Sequence, residues 1–280
     1  MQHIRSMTAR DFRAIIKLTN NEQWGFGVRD MRRMLKLQPK GCLVAVDGAK
    51  RIGLTTASCY GGELGWIGNV VVDRAYRNKG IASDLVQAAI RRLAHRRVRR
   101  VGLYSFPENQ SMYERLGFET VGGFILLSIL RGPLKRAGGN LKIPFSKILR
   151  FDRRAFGADR SKLLRCLMRD FPRSWAWIRR GTELCGYAIV KEYQDSSEIG
   201  PSICEKADRD TALALLKASK SLTRKWPLEI SIPESNRTFL ETAQSAGFRT
   251  LRKGLVMSFT ELEKVNLGPQ VLALGFLDKG

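Results

Sequence analysis

Histidine is nearly absent from this 280-residue chain: only His3 and His95 occur, and neither has a ligating or catalytic neighbour in sequence. The five cysteines form no CxxC pair, so zinc sites and histidine-based nucleophilic triads have no support, and we expect no metal. No apolar run approaches the ~20 residues of a membrane span, and the first residues, MQHIRSMTARDF, lack the apolar core of a signal peptide. We therefore expect an intracellular, cytoplasmic protein that crosses no membrane. Neither G-x-G-x-x-G nor GxxxxGK[ST] is present, which removes the dinucleotide and P-loop readings.

Acidic residues are also scarce. Against 49 Lys and Arg stand 26 Asp and Glu, for a net charge of +23. Residues 1–135 carry 23 basic and 10 acidic side chains and the remainder 26 and 16, so the excess is not a tail. A basic field attracts polyanions, including nucleic acid and phosphate-bearing cofactors, without choosing among them. Its densest block, RRLAHRRVRR (91–100), crosses a helix end and reads either as a solvated face or as a nucleic-acid surface.

What the chain does have is an internal repeat. GCLVAVDGAKRIGLTTAS (41–58) reads as strand, Asp-Gly turn, strand, and SWAWIRRGTELCGYAIV (174–190) has the same outline. Gly48 and Gly53 match Gly181 and Gly186 at an offset of 133, and Ile67-Gly68 matches Ile199-Gly200 at 132. Helical patterns follow in each copy, and the closing Gly-Phe pairs are offset by 130. We expect two α/β (α+β) domains, 1–135 and 136–280, each a mixed, mostly antiparallel twisted sheet flanked by helices. SILRGPLKRAGGN (128–140) is the expected linker.

RNKGIASDL (77–85) sits where the valine run 70–72 gives way to a helix marked by Ile81, Leu85, Ala89 and Leu93. A helix N-terminus offers unpaired N–H groups and a positive dipole end, which suit a phosphate. Gly80 lets backbone approach a ligand, Ala82 keeps the first turn bare, and Arg77 and Lys79 add charge.

GWIGNVVVDRAYRNKGIASDLVQAAI resembles the acyl-CoA motif of the GNAT superfamily of N-acyltransferases, whose signature Q/R-x-x-G-x-G/A is met by Arg77-Asn78-Lys79-Gly80-Ile81-Ala82. SMYERLGF (111–118) is similar to the closing helix of that family. FDRRAFGADRSKLLRCLM and EIGPSICE resemble the second half of its YitH-type tandem members. The resemblance implies that backbone of Val70, Val71 and Val72 pairs with the pantetheine arm of acetyl-CoA. It implies that the amides of Asn78, Lys79, Gly80, Ile81, Ala82 and Ser83 cradle the pyrophosphate. It also implies direct attack by an amine, from a small molecule or a peptide, with both substrates bound together.

Tyr113, four residues before Gly117, is the matching general acid, or else a core tyrosine. Its helix is short by one turn, with ten residues from Pro107 to Gly117 against fourteen from Pro233 to Gly247. No base is resolved. On simple alternation Glu63, Gly65, Ile67, Asn69 and Val71 share one strand face. Glu63 then reads as a water-bridged base or an exposed hairpin carboxylate, and Asn69 as a contact to substrate or splayed backbone. Glu22 is a base or substrate contact in a substrate-facing loop, where Trp24 lines an acceptor pocket or anchors the loop.

The second copy has CEKADRDTA (204–212) in place of the glycine loop and Ala243 in place of the tyrosine. We expect it to bind no acyl-CoA, and to shape the acceptor site or form a homodimer surface. Two other readings stand beside the enzyme: an acetyl-CoA-binding regulatory protein, and a basic nucleic-acid- or ribosome-associated protein on the same scaffold.

Overall fold

The computed structural model describes residues 2–132, 143–206, 208–265 and 267–275. Of the expected linker, residues 133–140 lie outside the described residues. Two compact units emerge. The first takes in residues up to Val121 together with Val256–Val265, and the second comprises Gly122–Leu255 with the described residues of 267–275.

In chain order the first copy of the repeat gives β1 (Gln2–Ser6), α1 (Phe12–Asn20), α2 (Val28–Leu37), β2 (Cys42–Asp47), β3 (Lys50–Tyr60) and β4 (Leu64–Val72). It continues with α3 (Ile81–Ala94), β5 (Arg100–Ser105), α4 (Gln110–Glu114) and β6 (Phe118–Ile129). The second copy gives α5 (Phe145–Phe156), α6 (Ser161–Asp170), β7 (Trp175–Arg180), β8 (Glu183–Glu192) and β9 (Ser197–Cys204). After these come α7 (Arg209–Leu222), β10 (Leu228–Pro233), α8 (Arg237–Ser245), β11 (Arg249–Phe259) and β12 (Val271–Ala273). The order from β2 to β6 is repeated from β7 to β11, as the offsets require.

Strands β1 to β4 pair antiparallel in sequence, and β5 joins β4 in parallel through α3. The second unit repeats this with β7, β8, β9 and β10. The last strands are exchanged between the copies. Residues 124–129 of β6 pair antiparallel with β10 in the second unit, whereas β11 neighbours β5 and its residues from Val256 onward belong to the first.

The repeated glycines have a packing cause. A Cβ on Gly53 would stand 2.9 Å from Leu85 of α3, and one on Gly186 would stand 3.3 Å from Leu215 of α7. Each glycine thus lets the crossover helix lie close on its sheet. α3 buries Ile81, Leu85, Val86, Ala89 and Leu93 on that face, and each large apolar side chain so buried contributes about 1.5–3 kcal/mol. Among the described residues no helix is long and apolar enough to cross a membrane.

Candidate active site

The parallel ladder between β4 and β5 runs only from Leu64–Arg100 to Ile67–Leu103. Beyond it β4 continues through Val70, Val71 and Val72 without a β5 partner, so apart from the Val72 carbonyl, which accepts from Arg77, its backbone on that side is open to an added strand. The cause lies in β4 itself. Asn69 has φ +53, and the β3–β4 register shifts by one residue at this point, which marks a β-bulge. Asparagine is one of the few residues besides glycine that enters this left-handed region readily.

The bulge corrects the simple alternation expected for β4. Gly65 faces α3, where a Cβ would stand 3.0 Å from Leu93. Asn69 instead turns toward α2: its Nδ2 donates to Thr56 Oγ1 at 3.1 Å and lies 3.8 Å from Met34 Sδ. The extra residue flips every side chain that follows it.

At the end of β4 the chain makes a short turn and enters α3. Gly80 caps α3 with φ +79 and no side-chain cap, and a Cβ there would meet no atom within 4 Å. Asn78 is also left-handed, at φ +61. The first backbone hydrogen bond of the helix runs from Asp84 N–H to the Gly80 carbonyl at 3.0 Å, so the N–H groups of Ile81, Ala82 and Ser83 have no intrahelical partner. Open space thus lies before an uncapped helix N-terminus, the geometry an oxyanion requires. Lys79 Nζ stands 5.2 Å over the Tyr76 ring, and Arg77 Nε donates to the Val72 carbonyl at 3.2 Å.

The remaining candidates are placed as follows. Tyr113 is buried on α4, its ring edge-on to Phe118 at 6.1 Å, and α4 begins where β5 has parted from β4. Its hydroxyl has no hydrogen-bond partner among the described residues, and burial pushes the phenol above its ordinary range, so it holds its proton. α4 spans 5 residues against 9 for α8, the missing turn expected from spacing.

Glu22 lies in the α1–α2 loop, where Oε1 accepts from Arg77 at 2.7 Å and from Arg74 Nε at 3.2 Å. Trp24 is half-buried in the same loop, edge-on to Phe26 at 5.6 Å, and Asn20 clasps Phe26 through both backbone groups. Glu63 sits at the opposite end of β4 from the loop, about 20 Å along the strand from Asn69, with Oε2 3.6 Å from Arg99. The structure therefore joins Glu22 to Arg77 and leaves Glu63 apart from both. Thr56 and Arg74 escaped sequence reasoning, since only the bulge and the loop's fold bring them in.

The second unit repeats the open strand and then fills it. β9 and β10 pair only from Ser197–Leu228 to Ile199–Ile230, with the same register shift in β9. Into the gap comes β12, antiparallel to β9 at Ile203 and Ser202, which correspond to Val71 and Val70. Leu274 N–H donates to the Ser231 carbonyl of β10, and Cys204 N–H to the Gln270 carbonyl. At the α7 N-terminus, where α3 has Gly80, the Asp208 carboxylate accepts from Thr211 N–H at 2.8 Å. Ala207 of the corresponding loop lies outside the described residues.

These features match known proteins along both halves. Residues 5–118 match the model of the acetyltransferase (GNAT) family, and residues 148–266 match that of an acetyltransferase (GNAT) domain. The chain belongs to the GNAT superfamily and carries two such domains in tandem, which makes it an N-acyltransferase by class. It is 25% identical over 211 residues to the uncharacterized N-acetyltransferase YitH of Bacillus subtilis (strain 168), covering 72% of this chain and 73% of that one. It is 23% identical over 237 residues to the holothin acyltransferase of Pseudoalteromonas sp. (strain SANK 73390), covering 82% and 78%. A crystal structure of a candidate acetyltransferase from Pyrococcus horikoshii superposes with a TM-score of 0.82 at 22% identity, covering 100% of this chain and 96% of that one, and this likeness shows the fold.

Proposed function

We propose that the protein transfers the acetyl group of acetyl-CoA to a primary amine, at a single site in its first half. The observation that carries this reading is the pairing of an open β4 edge with an uncapped, glycine-led helix N-terminus at its end. The backbone of Val70, Val71 and Val72 holds the pantetheine arm as an added strand. The amides from Asn78 to Ser83 hold the pyrophosphate, with Arg77 and Lys79 supplying charge. Acetyl-CoA supplies the acetyl group, and the acceptor amine takes it by direct attack with both substrates bound.

Tyr113 keeps its proton at neutral pH and can pass it to the departing sulfur, which needs a donor as the C–S bond breaks. The proton lost by the amine leaves to solvent. Glu22, tied to two arginines, and Glu63, far along β4, take no base role here. Asn69 orients the bulge through Thr56, and Trp24 borders the acceptor side. In the second half, β12 and Asp208 occupy the places of pantetheine and pyrophosphate, which supports one working site.

CoA release from acetyl-CoA with a panel of small amines and peptides tests the assignment. Amine-dependent release is expected. Acetyl-CoA binding without release for every amine would favour the regulatory reading.

A further inference from the structure

At the end of α3 remote from Gly80, a cleft of about 160 Å³ opens in the first unit. Twelve residues of helix, about 18 Å, separate Gly80 from Arg92, so the cleft is not part of the phosphate loop. Three cations line it: Arg92 and Arg96 from α3, and Lys40 from the turn between α2 and β2. None of the three has an ion-pair partner among the described residues, and no carboxylate lines the cleft. The carbonyl end of a helix draws cations to itself, which accounts for the arginines. It does not account for Lys40, which belongs to another element. Cys59 forms part of the wall, and it is the one cysteine that is not buried.

We propose that this cleft binds a compact anion of the phosphate class, either inorganic phosphate or the phosphoryl group of a small metabolite. Three unpaired cations around a concavity this small match a tetrahedral dianion, which accepts from several donors at once. An extended nucleic-acid backbone would instead need a groove lined along its length. The site accounts for part of the basic block 91–100 that the acyl-transfer reading leaves unused.

Cys59 is a native reporter, because Cys42, Cys166, Cys185 and Cys204 are buried. Iodoacetamide labelling of Cys59 in the full-length protein, read by peptide mass spectrometry, is compared in phosphate and in chloride at equal ionic strength. Phosphate is expected to slow labelling saturably, by about tenfold once it exceeds its dissociation constant by that factor. Glucose 6-phosphate in a parallel arm separates free phosphate from a phosphorylated metabolite; protection by either supports the site. Arg92→Gln with Arg96→Gln should abolish protection, and the exposed Lys40→Gln should weaken it if the double variant does not fold. Labelling indifferent to both anions overturns the proposal, as does protection that survives these substitutions. Protection by an RNA oligonucleotide alone would overturn the compact-anion assignment, and protection by acetyl-CoA alone would overturn a separate site.

Discussion

One oxygen of Glu22, Oε1, stands 2.7 Å from a terminal nitrogen of Arg77 and 3.2 Å from Nε of Arg74. The loop that bears Trp24 is thereby tied to the turn that would hold pyrophosphate. Both arginines are well exposed, and such pairs contribute about 0.2–1 kcal/mol each. Glu22→Gln should release positive charge toward the phosphate loop. We expect acetyl-CoA to bind about two- to fivefold tighter at low salt, with the gain fading as salt rises, measured by calorimetry. A collapse of turnover with unchanged affinity would instead make Glu22 the base.

Tyr113→Phe keeps the ring and removes the proton donor. The packing against Phe118 should survive, so stability and acetyl-CoA affinity should change little. kcat should fall by about 10²-fold or more with KM for acetyl-CoA unaltered. An unchanged kcat in steady-state CoA release would return Tyr113 to a packing role.

Asn69 is separable into backbone and side chain. Asn69→Val forces a β-branched residue into the left-handed region at a cost of about 1–3 kcal/mol, and should lower the melting temperature and weaken acetyl-CoA binding together. Asn69→Gly keeps the bulge and loses the side-chain contacts, including those to Thr56 and Met34, so it should retain acetyl-CoA binding. Equal damage from both would show that the side chain, not the bulge, matters.

Asp11 is fully buried, and its carboxylate accepts from Arg5 at 2.7 and 2.8 Å, from Thr8 at 2.8 Å and from Arg51 at 2.8 Å. The Arg5 guanidinium is the main cause that holds this carboxyl well below the usual carboxylate range. A group whose pKa is lowered on folding adds stability above its unfolded pKa and loses it as pH falls toward the folded value. Asp11→Asn should therefore destabilise the protein at pH 7. The gap to wild type should narrow as pH falls below about 4. Urea unfolding across pH checks this, and a constant gap would assign the loss to packing.

Asn236 holds β12 in the second unit, donating from Nδ2 to the carbonyls of Val271 at 3.2 Å and Pro269 at 3.3 Å. Asn236→Ala strands these groups at about 1–3 kcal/mol and should lower the melting temperature by several degrees. It should create no second acetyl-CoA site, because Asp208 still caps α7. A second binding event in calorimetry would show that β12 alone had sealed that half.

Much of this was legible in sequence because it is local. Asp47-Gly48 set a hairpin, the 3.6-residue period of Ile81, Leu85, Ala89 and Leu93 set a helix face, and the two copies each confirmed the other. The turn of Asn69 toward α2 escaped because period-two reasoning assumes an unbroken strand, and one inserted residue turns the chain's face. The exchange of β6 and β11 leaves no trace, since two similar strands in similar places satisfy either copy's pattern. β12 lies beyond the repeat, and its partner β9 is almost seventy residues earlier, a pairing no local signal encodes. Glu22 stands out in sequence as a carboxylate in the loop between the first helices, but its arginines come from fifty-two and fifty-five residues away.

The chain holds two copies of the fold, and we propose a single phosphate-binding loop, at Gly80. Titration calorimetry of acetyl-CoA into wild type and Gly80→Glu tests it most directly. A carboxylate at that residue would strain a left-handed backbone and place negative charge where the pyrophosphate must sit. One acetyl-CoA per chain is expected for wild type and none for Gly80→Glu. Two per chain, or unchanged affinity in the variant, would contradict it.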